Sequence, residues 1–181
     1  MRIISGRARG TKLMTLEGLD TRPTTDRVKE SLFNLLQYDF YNKRILDLFA
    51  GSGALGLEGI SRGAISVTFV DMSKACIEII RKNAEKTKSL NESKFIQGDC
   101  LSAIHRLEKD NLDLIFMDPP YSKGHVEPIL EAIIQDGVLK VGGLIVIEHA
   151  KNDVWNHPDT LELVKTRTYG ITTLTIYRRT S

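Results

Sequence analysis

Short apolar runs recur along the chain, and the distance between successive runs leaves room for a helix. The runs lie near Ile45, Val67, Phe95, Ile115 and Ile145. The stretches between them carry apolar residues at helical spacing, so strands and helices are predicted to alternate. This alternation indicates an α/β fold, in which helices cover both faces of a mostly parallel sheet.

Three helical patterns are clear enough to place. They cover residues 25–38, 73–90 and 125–135. In the first of them Val28 and Leu32 lie on one apolar face, and this helix precedes the whole sheet.

The C-terminal part of the chain predicts a fifth strand and a closing hairpin. Gly142 and Gly143 are expected to open a strand over residues 144–148. Two alternating runs follow, at residues 161–168 and 172–177, and a Tyr-Gly turn between them predicts an antiparallel hairpin.

The composition fits one globular domain. The chain has 181 residues, of which 41% are hydrophobic, and this is enough for a single substantial core. Within residues 1–181 we expect a basic segment and helix over residues 1–40 and a core over residues 41–181. The formal charge of +2 is too small to indicate nucleic-acid binding by itself. Basic side chains that could contact phosphates are concentrated near both ends, as Arg2, Arg7, Arg9 and Lys12, and as Lys165, Arg167, Arg178 and Arg179.

The cysteines indicate a reducing environment. Cys76 and Cys100 lie far apart, and no secretory signal or long apolar span is evident. We therefore expect a cytoplasmic protein without a disulfide framework. The histidines lie at no spacing that would complete a metal site with these cysteines, so no metal is expected.

A glycine-rich turn follows the first strand. Gly51, Gly53 and Gly56 have the spacing of a nucleotide-binding turn, in which glycine allows the backbone to approach a ligand closely. Asp71 ends the next strand about twenty residues later, where a carboxylate can accept hydrogen bonds from both hydroxyls of a ribose. The turn and the acid together predict a nucleoside site.

The charge near this turn favours S-adenosylmethionine over a dinucleotide. Asp47 lies four residues before Gly51, and a carboxylate there suits a cationic sulfonium and amino group better than an anionic pyrophosphate. Asp99 ends the third strand and has two possible roles. It can accept a hydrogen bond from the adenine amine, or it can cap the helix that follows.

A second motif, Asp118-Pro119-Pro120-Tyr121, follows the fourth strand. Its prolines stiffen the loop, so the Asp118 carboxylate and the Pro119 carbonyl are expected to be fixed acceptors beside the Tyr121 ring. Two acceptors and an aromatic face suit the planar amino group of a nucleobase. Acceptors fixed there would stabilise the positive charge that grows on the nitrogen as it attacks a methyl donor.

These motifs resemble those of S-adenosylmethionine-dependent methyltransferases that act on amino nitrogens. More narrowly, the chain resembles the RsmD family, which methylates N2 of a guanine in 16S ribosomal RNA. The resemblance also covers residues 5–10 and 22–34, and so extends over nearly the whole chain. It implies a Rossmann-like class I methyltransferase fold, with a seven-stranded, mostly parallel sheet and an antiparallel C-terminal hairpin. We expect a monomer that acts on the assembled small ribosomal subunit.

The motifs and the resemblance together assign roles to individual residues. Catalysis is expected from Asp118, Pro119, Pro120 and Tyr121. Contacts to the cofactor are expected from Asp47, Phe49, Ala50, Gly51, Ser52, Gly53, Asp71, Met72, Asp99, Cys100 and Asp118. Contacts to the substrate are expected from Arg7, Arg9, Arg22, Thr24 and Tyr121.

Other interpretations stay open on the sequence alone. A DNA adenine-N6 methyltransferase has the same tetrapeptide, although a separate target-recognition domain is missing. Protein-glutamine methyltransferases resemble this chain but have Asn at the position of Asp118, and this difference weighs against that interpretation. A domain that binds a nucleotide without catalysing a reaction is less favoured, because it leaves the second motif without a role. A dehydrogenase is also less favoured, because Asp47 would then lie near the negative phosphates of the dinucleotide. No role is assigned to Glu30, Asn34 or Glu148.

Overall fold

The computed structural model describes residues 1–16, 26–36, 40–120 and 124–181. Within these ranges the strands are β1 (Arg44–Leu48), β2 (Ser66–Asp71), β3 (Ser93–Gln97), β4 (Leu112–Met117), β5 (Leu139–Ala150), β6 (Leu161–Tyr169) and β7 (Thr172–Arg179). The helices are α1 (Asp26–Leu36), α2 (Ala54–Ser61), α3 (Lys74–Lys86), α4 (Cys100–Ile104) and α5 (Val126–Gln135), with a short 3₁₀ turn at Leu90–Glu92.

All of these strands belong to one sheet, in the order β3-β2-β1-β4-β5-β7-β6. The first five in this order are parallel, whereas β7 is antiparallel to both β5 and β6. The strand order reverses at β1, where Leu48 lies opposite Val70 on one side and Met117 on the other. Ligands of open α/β sheets bind outside the carboxyl ends of the strands at such a reversal. The predicted fold class is confirmed.

The sheet separates two hydrophobic cores. Phe69 and Phe116 point to the core that contains residues of α1, α2 and α3, among them Ile80. Ile115 points to the opposite core, where it packs with residues of α4 and α5 such as Ile133. Helices therefore cover both faces, as the alternating pattern predicts.

The first predicted helix and the closing hairpin are confirmed in the part of the chain that the structure describes. The helix predicted over residues 25–38 appears as α1, and residues 25 and 37–39 lie outside the described ranges. The hairpin forms from β6 and β7. None of the helices in the described ranges is long and apolar enough to cross a membrane.

The predicted end of the helix over residues 73–90 is wrong. Ser73 caps the helix through a hydrogen bond that its side chain accepts from the Cys76 amide, and α3 ends at Lys86 with Thr87 at the C-cap. The helix stops because Lys88 has a left-handed φ of 56°, which a right-handed helix cannot accommodate.

The predicted start of the fifth strand is also wrong. Pairing with β4 begins at Leu139, opposite Leu112, and resumes at Leu144, opposite Leu114. The extra residues between these pairs form an irregularity in the register. Gly142 lies there with a φ of 81°, so it interrupts the strand pairing but does not mark its beginning.

An N-terminal segment, residues 1–16, lies against α2 and α3. Its ends are brought together by an isolated antiparallel bridge between Arg2 and Lys12. Gly6 passes so close to α2 that a Cβ atom there would lie 1.8 Å from the carbonyl oxygen of Ser61, and its φ is +79°. Glycine is therefore required at this contact.

A buried carboxylate on α2, that of Glu58, fixes the segment in place. Its Oε2 accepts a hydrogen bond from the Ile4 amide at 2.8 Å, and its Oε1 accepts one from the Ser5 amide at 2.9 Å. The same carboxylate pairs with Lys29 of α1 at 3.1 Å and with Arg62 at 2.9 Å. Lys29 is fully buried, and burial lowers its pKa. Glu58 thus joins α1, α2 and the N-terminal segment.

We predict that Glu58→Gln destabilises the protein strongly, because Gln cannot neutralise the buried Lys29 ammonium. Breaking a buried ion pair from one side costs about 3–5 kcal/mol. The free energy of unfolding, measured in urea, should fall by that amount. Glu78→Gln is a matched control. Glu78 forms an exposed pair with Lys74 at 3.9 Å, and these two residues lie four positions apart, as Glu58 and Arg62 do. Glu78→Gln should change the stability by less than about 0.5 kcal/mol, and equal effects of the two variants would contradict the role of Glu58.

Candidate active site at the carboxyl edge of the sheet

The glycine-rich turn between β1 and α2 has an unusual backbone. Phe49, Gly51 and Gly53 have positive φ angles of 58°, 56° and 77°. The turn closes on itself through a hydrogen bond from the Gly53 amide to the Ala50 carbonyl at 2.7 Å, and the Ala50 amide donates to the Val70 carbonyl of β2 at 3.1 Å. A left-handed aromatic residue such as Phe49 is uncommon and persists only where its surroundings hold it.

Two of the predicted cofactor acids hold this turn in shape. Asp47 Oδ2 accepts a hydrogen bond from the Gly56 amide at 2.9 Å, at the start of α2. Asp71 Oδ2 accepts from the Gly51 amide at 2.9 Å, while its Oδ1 accepts from the Ser73 amide at 2.8 Å. The sequence predicted ligand contacts for both acids, and the structure adds that each one first orders the backbone. Each carboxylate oxygen keeps a second lone pair for a ligand.

Gly56 has a packing role that explains the third glycine of the motif. A Cβ atom at this position would lie 2.4 Å from Cε1 of Phe69. The helix can therefore lie close against β2 only because residue 56 has no side chain.

Asp99 caps α4, which is the second of the two roles predicted for it. Its oxygens accept hydrogen bonds from the Leu101 amide at 3.3 Å and the Ser102 amide at 2.8 Å. Hydrogen bonds from Ser102 hold the pKa of this exposed carboxyl below its usual value. The neighbouring Cys100 is buried, and burial raises the pKa of its thiol to about 12. Met72 directly follows β2 and is 73% exposed.

Asp118 follows β4 at the same edge. It is half-buried, with Pro119 buried and Pro120 exposed. Burial raises the pKa of Asp118 well above its usual value, and the negative charges of Glu148 and Asp47 raise it further. Met117 of β4 is paired with Ile147 of β5, so Glu148, the next residue of β5, is a neighbour of the second motif.

The edge is therefore a desolvated cluster of carboxyl groups. Asp47 is 2% exposed and Glu148 is 5% exposed. Burial, with a further contribution from Asp71, raises the pKa of Asp47 to about 7. Such a cluster favours a cationic ligand, because a positive charge would offset the repulsion among the carboxylates. Among the described residues, no group of three or more His, Cys, Asp and Glu side chains is arranged to hold a metal ion.

The predicted substrate residues are not all near this edge. The Arg7 guanidinium pairs with Glu92 at 2.8 Å and donates to the Lys88 carbonyl at 3.3 Å. Both partners precede β3, so Arg7 lies at the amino edge of the sheet, opposite the acids. Arg9 is exposed in the same turn of the N-terminal segment. The remaining residues predicted to contact the substrate, Arg22, Thr24 and Tyr121, lie outside the described residues.

Sequence reasoning missed one residue at the turn, Asn83 of α3. Its side chain is fully buried and donates to the Ser52 carbonyl at 2.9 Å. It also forms hydrogen bonds with both backbone groups of Met14. The available signal was its position: Asn83 lies three residues after Ile80, on the apolar face of the helix, where a polar side chain needs a partner.

A family model described as conserved hypothetical protein 95 matches residues 1–178 of the chain. The Bacillus subtilis protein YlbH is 39% identical over 184 residues, which cover 99% of both proteins. The ribosomal RNA small subunit methyltransferase D of Haemophilus influenzae is 35% identical over 98% of this chain and 93% of its own length. Among solved structures, that of the Escherichia coli protein yhhF superposes with a TM-score of 0.88 at 34% identity, over 99% of this chain and 98% of the other.

The raised pKa of Asp47 predicts a pH-dependent stability. In the unfolded chain this carboxyl has its usual pKa of 3.8, against about 7 in the folded chain. Between these values the folded state binds more protons, so the free energy of unfolding should fall as the pH rises from about 4 to about 7. The contribution of Asp47 is on the order of 4 kcal/mol, since each unit of pKa difference is worth about 1.4 kcal/mol.

Asp47→Asn should remove this part of the pH dependence, because the amide oxygen still accepts from Gly56 and nothing ionises. The measurement is urea unfolding at pH 5 and pH 8 for both proteins. Asp159→Asn, at an exposed position, serves as the control and should lose as much stability between the two pH values as the unaltered chain. An unchanged loss in Asp47→Asn would show that the Asp47 carboxyl is not the group that titrates.

Proposed function

The chain belongs to the RsmD family, the family described as conserved hypothetical protein 95, and we propose that it transfers a methyl group from S-adenosylmethionine to N2 of a guanine in 16S ribosomal RNA. The observation that carries the proposal is the position of Asp118-Pro119-Pro120 beside the glycine-rich turn. The two motifs directly follow Met117 and Leu48, which are paired in β4 and β1. An acceptor loop beside a nucleoside-binding turn is the arrangement that methylation of an amino group needs.

Several features of the site fit S-adenosylmethionine as the cofactor. Asp71 retains lone pairs for the hydroxyls of a ribose, and the left-handed turn allows close approach of a ligand to the backbone. The acidic edge around Asp47 and Asp118 suits the positive charges of the sulfonium and the amino group. When bound, the cofactor supplies an electrophilic methyl group.

In the proposed mechanism, Asp118 and Pro119 hold the nucleophile. The Asp118 carboxylate and the Pro119 carbonyl accept hydrogen bonds from the two N–H groups of the guanine amine, whose lone pair is otherwise delocalised into the ring. Positive charge grows on this nitrogen during the reaction, so fixed acceptors stabilise the transition state more than the ground state. The nitrogen then loses one proton, and the raised pKa of Asp118 suits this carboxylate to accept it.

Ribosomal RNA as the substrate class is supported by the relatives named for methylation of the small ribosomal subunit. In this proposal Tyr121 stacks on the guanine, an interaction worth about 1–3 kcal/mol on other stacking platforms. Arg7, Arg9, Arg22 and Thr24 contact the RNA backbone, Arg7 and Arg9 from the amino edge of the sheet. The enzyme works in the cytoplasm, where small subunits are assembled.

We predict that Asp118→Ala and Asp71→Ala separate catalysis from cofactor binding. Asp118→Ala should lower kcat by about 100-fold or more, since a preorganised acceptor is lost, while the Kd for S-adenosylhomocysteine changes little. Asp71→Ala should raise that Kd by about tenfold or more, because hydrogen bonds to a charged group are lost. Calorimetry and a methyl-transfer assay measure the two quantities, with exposed Asp159→Ala as the control. The opposite pattern would mean that the two roles are misassigned.

The substrate is tested by transfer of a labelled methyl group from S-adenosylmethionine to three acceptors, followed by nucleoside analysis. The acceptors are unmethylated small subunits, free 16S ribosomal RNA and duplex DNA. We expect N2-methylguanosine in small subunits and less or none in free RNA. Methyladenine in DNA would instead establish an adenine-N6 enzyme. Absence of label from every nucleic acid would reject the substrate class.

A further inference from the structure

The buried amide of Asn83 connects the N-terminal segment to the glycine-rich turn. Its Oδ1 accepts a hydrogen bond from the Met14 amide at 2.7 Å. Its Nδ2 donates to the Met14 carbonyl and to the Ser52 carbonyl, each at 2.9 Å. One acceptor and two donors are thus all used. The opposite amide orientation would set an oxygen against two carbonyls, so the network fixes the side chain in one arrangement.

The Ser52 carbonyl is a sensitive point of the turn. It lies between Gly51 and Gly53, which both have left-handed φ angles. Glycines on both sides leave the adjoining peptides free to rotate at little steric cost. The Gly51 amide is held by Asp71, and the Ser52 carbonyl is held by Asn83. The end of β2 and the body of α3 therefore each fix one backbone group of the turn.

Met14 completes the arrangement from the other side. With Met14 docked, Asn83 has two partners that orient its amide toward Ser52. If the N-terminal segment lifts away, the same amide loses both of these partners and can turn from the carbonyl. A ligand that needs the turn in its present shape must then favour the docked segment, and a docked segment must favour the ligand, because coupling between two sites is reciprocal.

We propose that Asn83 is a positioning residue that couples docking of the N-terminal segment to cofactor binding at the glycine-rich turn. This inference rests on the proposed function, since it takes S-adenosylmethionine as the ligand of the turn. Contacts that keep residues 1–16 docked strengthen cofactor binding, and the bound cofactor in turn stabilises the docked position of residues 1–16.

Two variants test the hydrogen bonds themselves. Asn83→Asp keeps the shape of the side chain and the bond from the Met14 amide, but it sets a carboxylate against two carbonyls. Asn83→Ala removes all three bonds. The Kd for S-adenosylhomocysteine, measured by calorimetry, should rise about tenfold in both, as expected for a lost buried hydrogen bond. The kcat at saturating S-adenosylmethionine should stay within about threefold, since the catalytic loop is untouched.

Two further variants lie on the same helix. Lys86 donates to the Lys12 carbonyl at 2.6 Å, so Lys86→Ala loosens the segment without touching the turn, and it should raise the Kd in the same direction as the Asn83 variants, but by less. Thr87 donates to the Asn83 carbonyl at 2.8 Å and is buried, so Thr87→Ala destabilises the helix without touching segment or turn. Thr87→Ala is the control and should keep the Kd within about twofold of the unaltered chain.

Hydrogen exchange tests the reciprocal direction. In the unaltered protein S-adenosylhomocysteine should slow exchange in the peptide that covers residues 1–16 by about fivefold or more, the lower end of common coupling strengths. Lys86→Ala should retain this slowing, and Asn83→Asp should lose it. Equal slowing in Asn83→Asp, or none in the unaltered protein, would overturn the coupling. Failure of the unaltered protein to bind S-adenosylhomocysteine would instead reject the proposed cofactor.

Discussion

The parallel pairing of β1 with β2 on one side and β4 on the other is the constraint on which the candidate site depends. Leu48 lies opposite Val70 and Met117, so the three chain segments that follow these residues leave the sheet at one edge. The glycine-rich turn, Asp71 and Asp118 come from distant parts of the sequence. They lie close together because hydrogen bonds hold the three strands that precede them side by side and in register.

The same pairing concentrates carboxyl groups away from water. Asp47 and Glu148 are almost fully buried, and burial together with the neighbouring carboxylates raises the pKa of Asp118. A protein core rarely retains such a group of acids without a compensating ligand or function. Local backbone amides partly satisfy Asp47 and Asp71, and a cation bound at this edge would satisfy the remainder. The same acids therefore have two effects: they order the backbone of the turn, and they favour a cationic ligand.

Much of this could be predicted from local sequence signals. Glycine spacing, strand-ending acids and the Pro-Pro pair located both motifs, because each signal depends only on neighbouring residues. The partners of these residues could not be predicted, since they depend on the path of the chain. Asn83 binds Met14, 69 residues away, and no short-range pattern reports such a contact. Lys29 likewise has the pattern of a surface residue, and only the overlying N-terminal segment and Glu58 explain its burial.

The dependence of the N-terminal segment on distant partners determines the order in which the chain can fold. The amides of Ile4 and Ser5 donate to Glu58, which lies 54 and 53 residues further along the chain. The Met14 amide donates to Asn83 of α3. Contacts with such large sequence separation form slowly because long loops must close first. During synthesis residues 1–16 therefore stay undocked until α2 and α3 have left the ribosome. This segment is made before both helices, yet it can reach the glycine-rich turn only after both are in place.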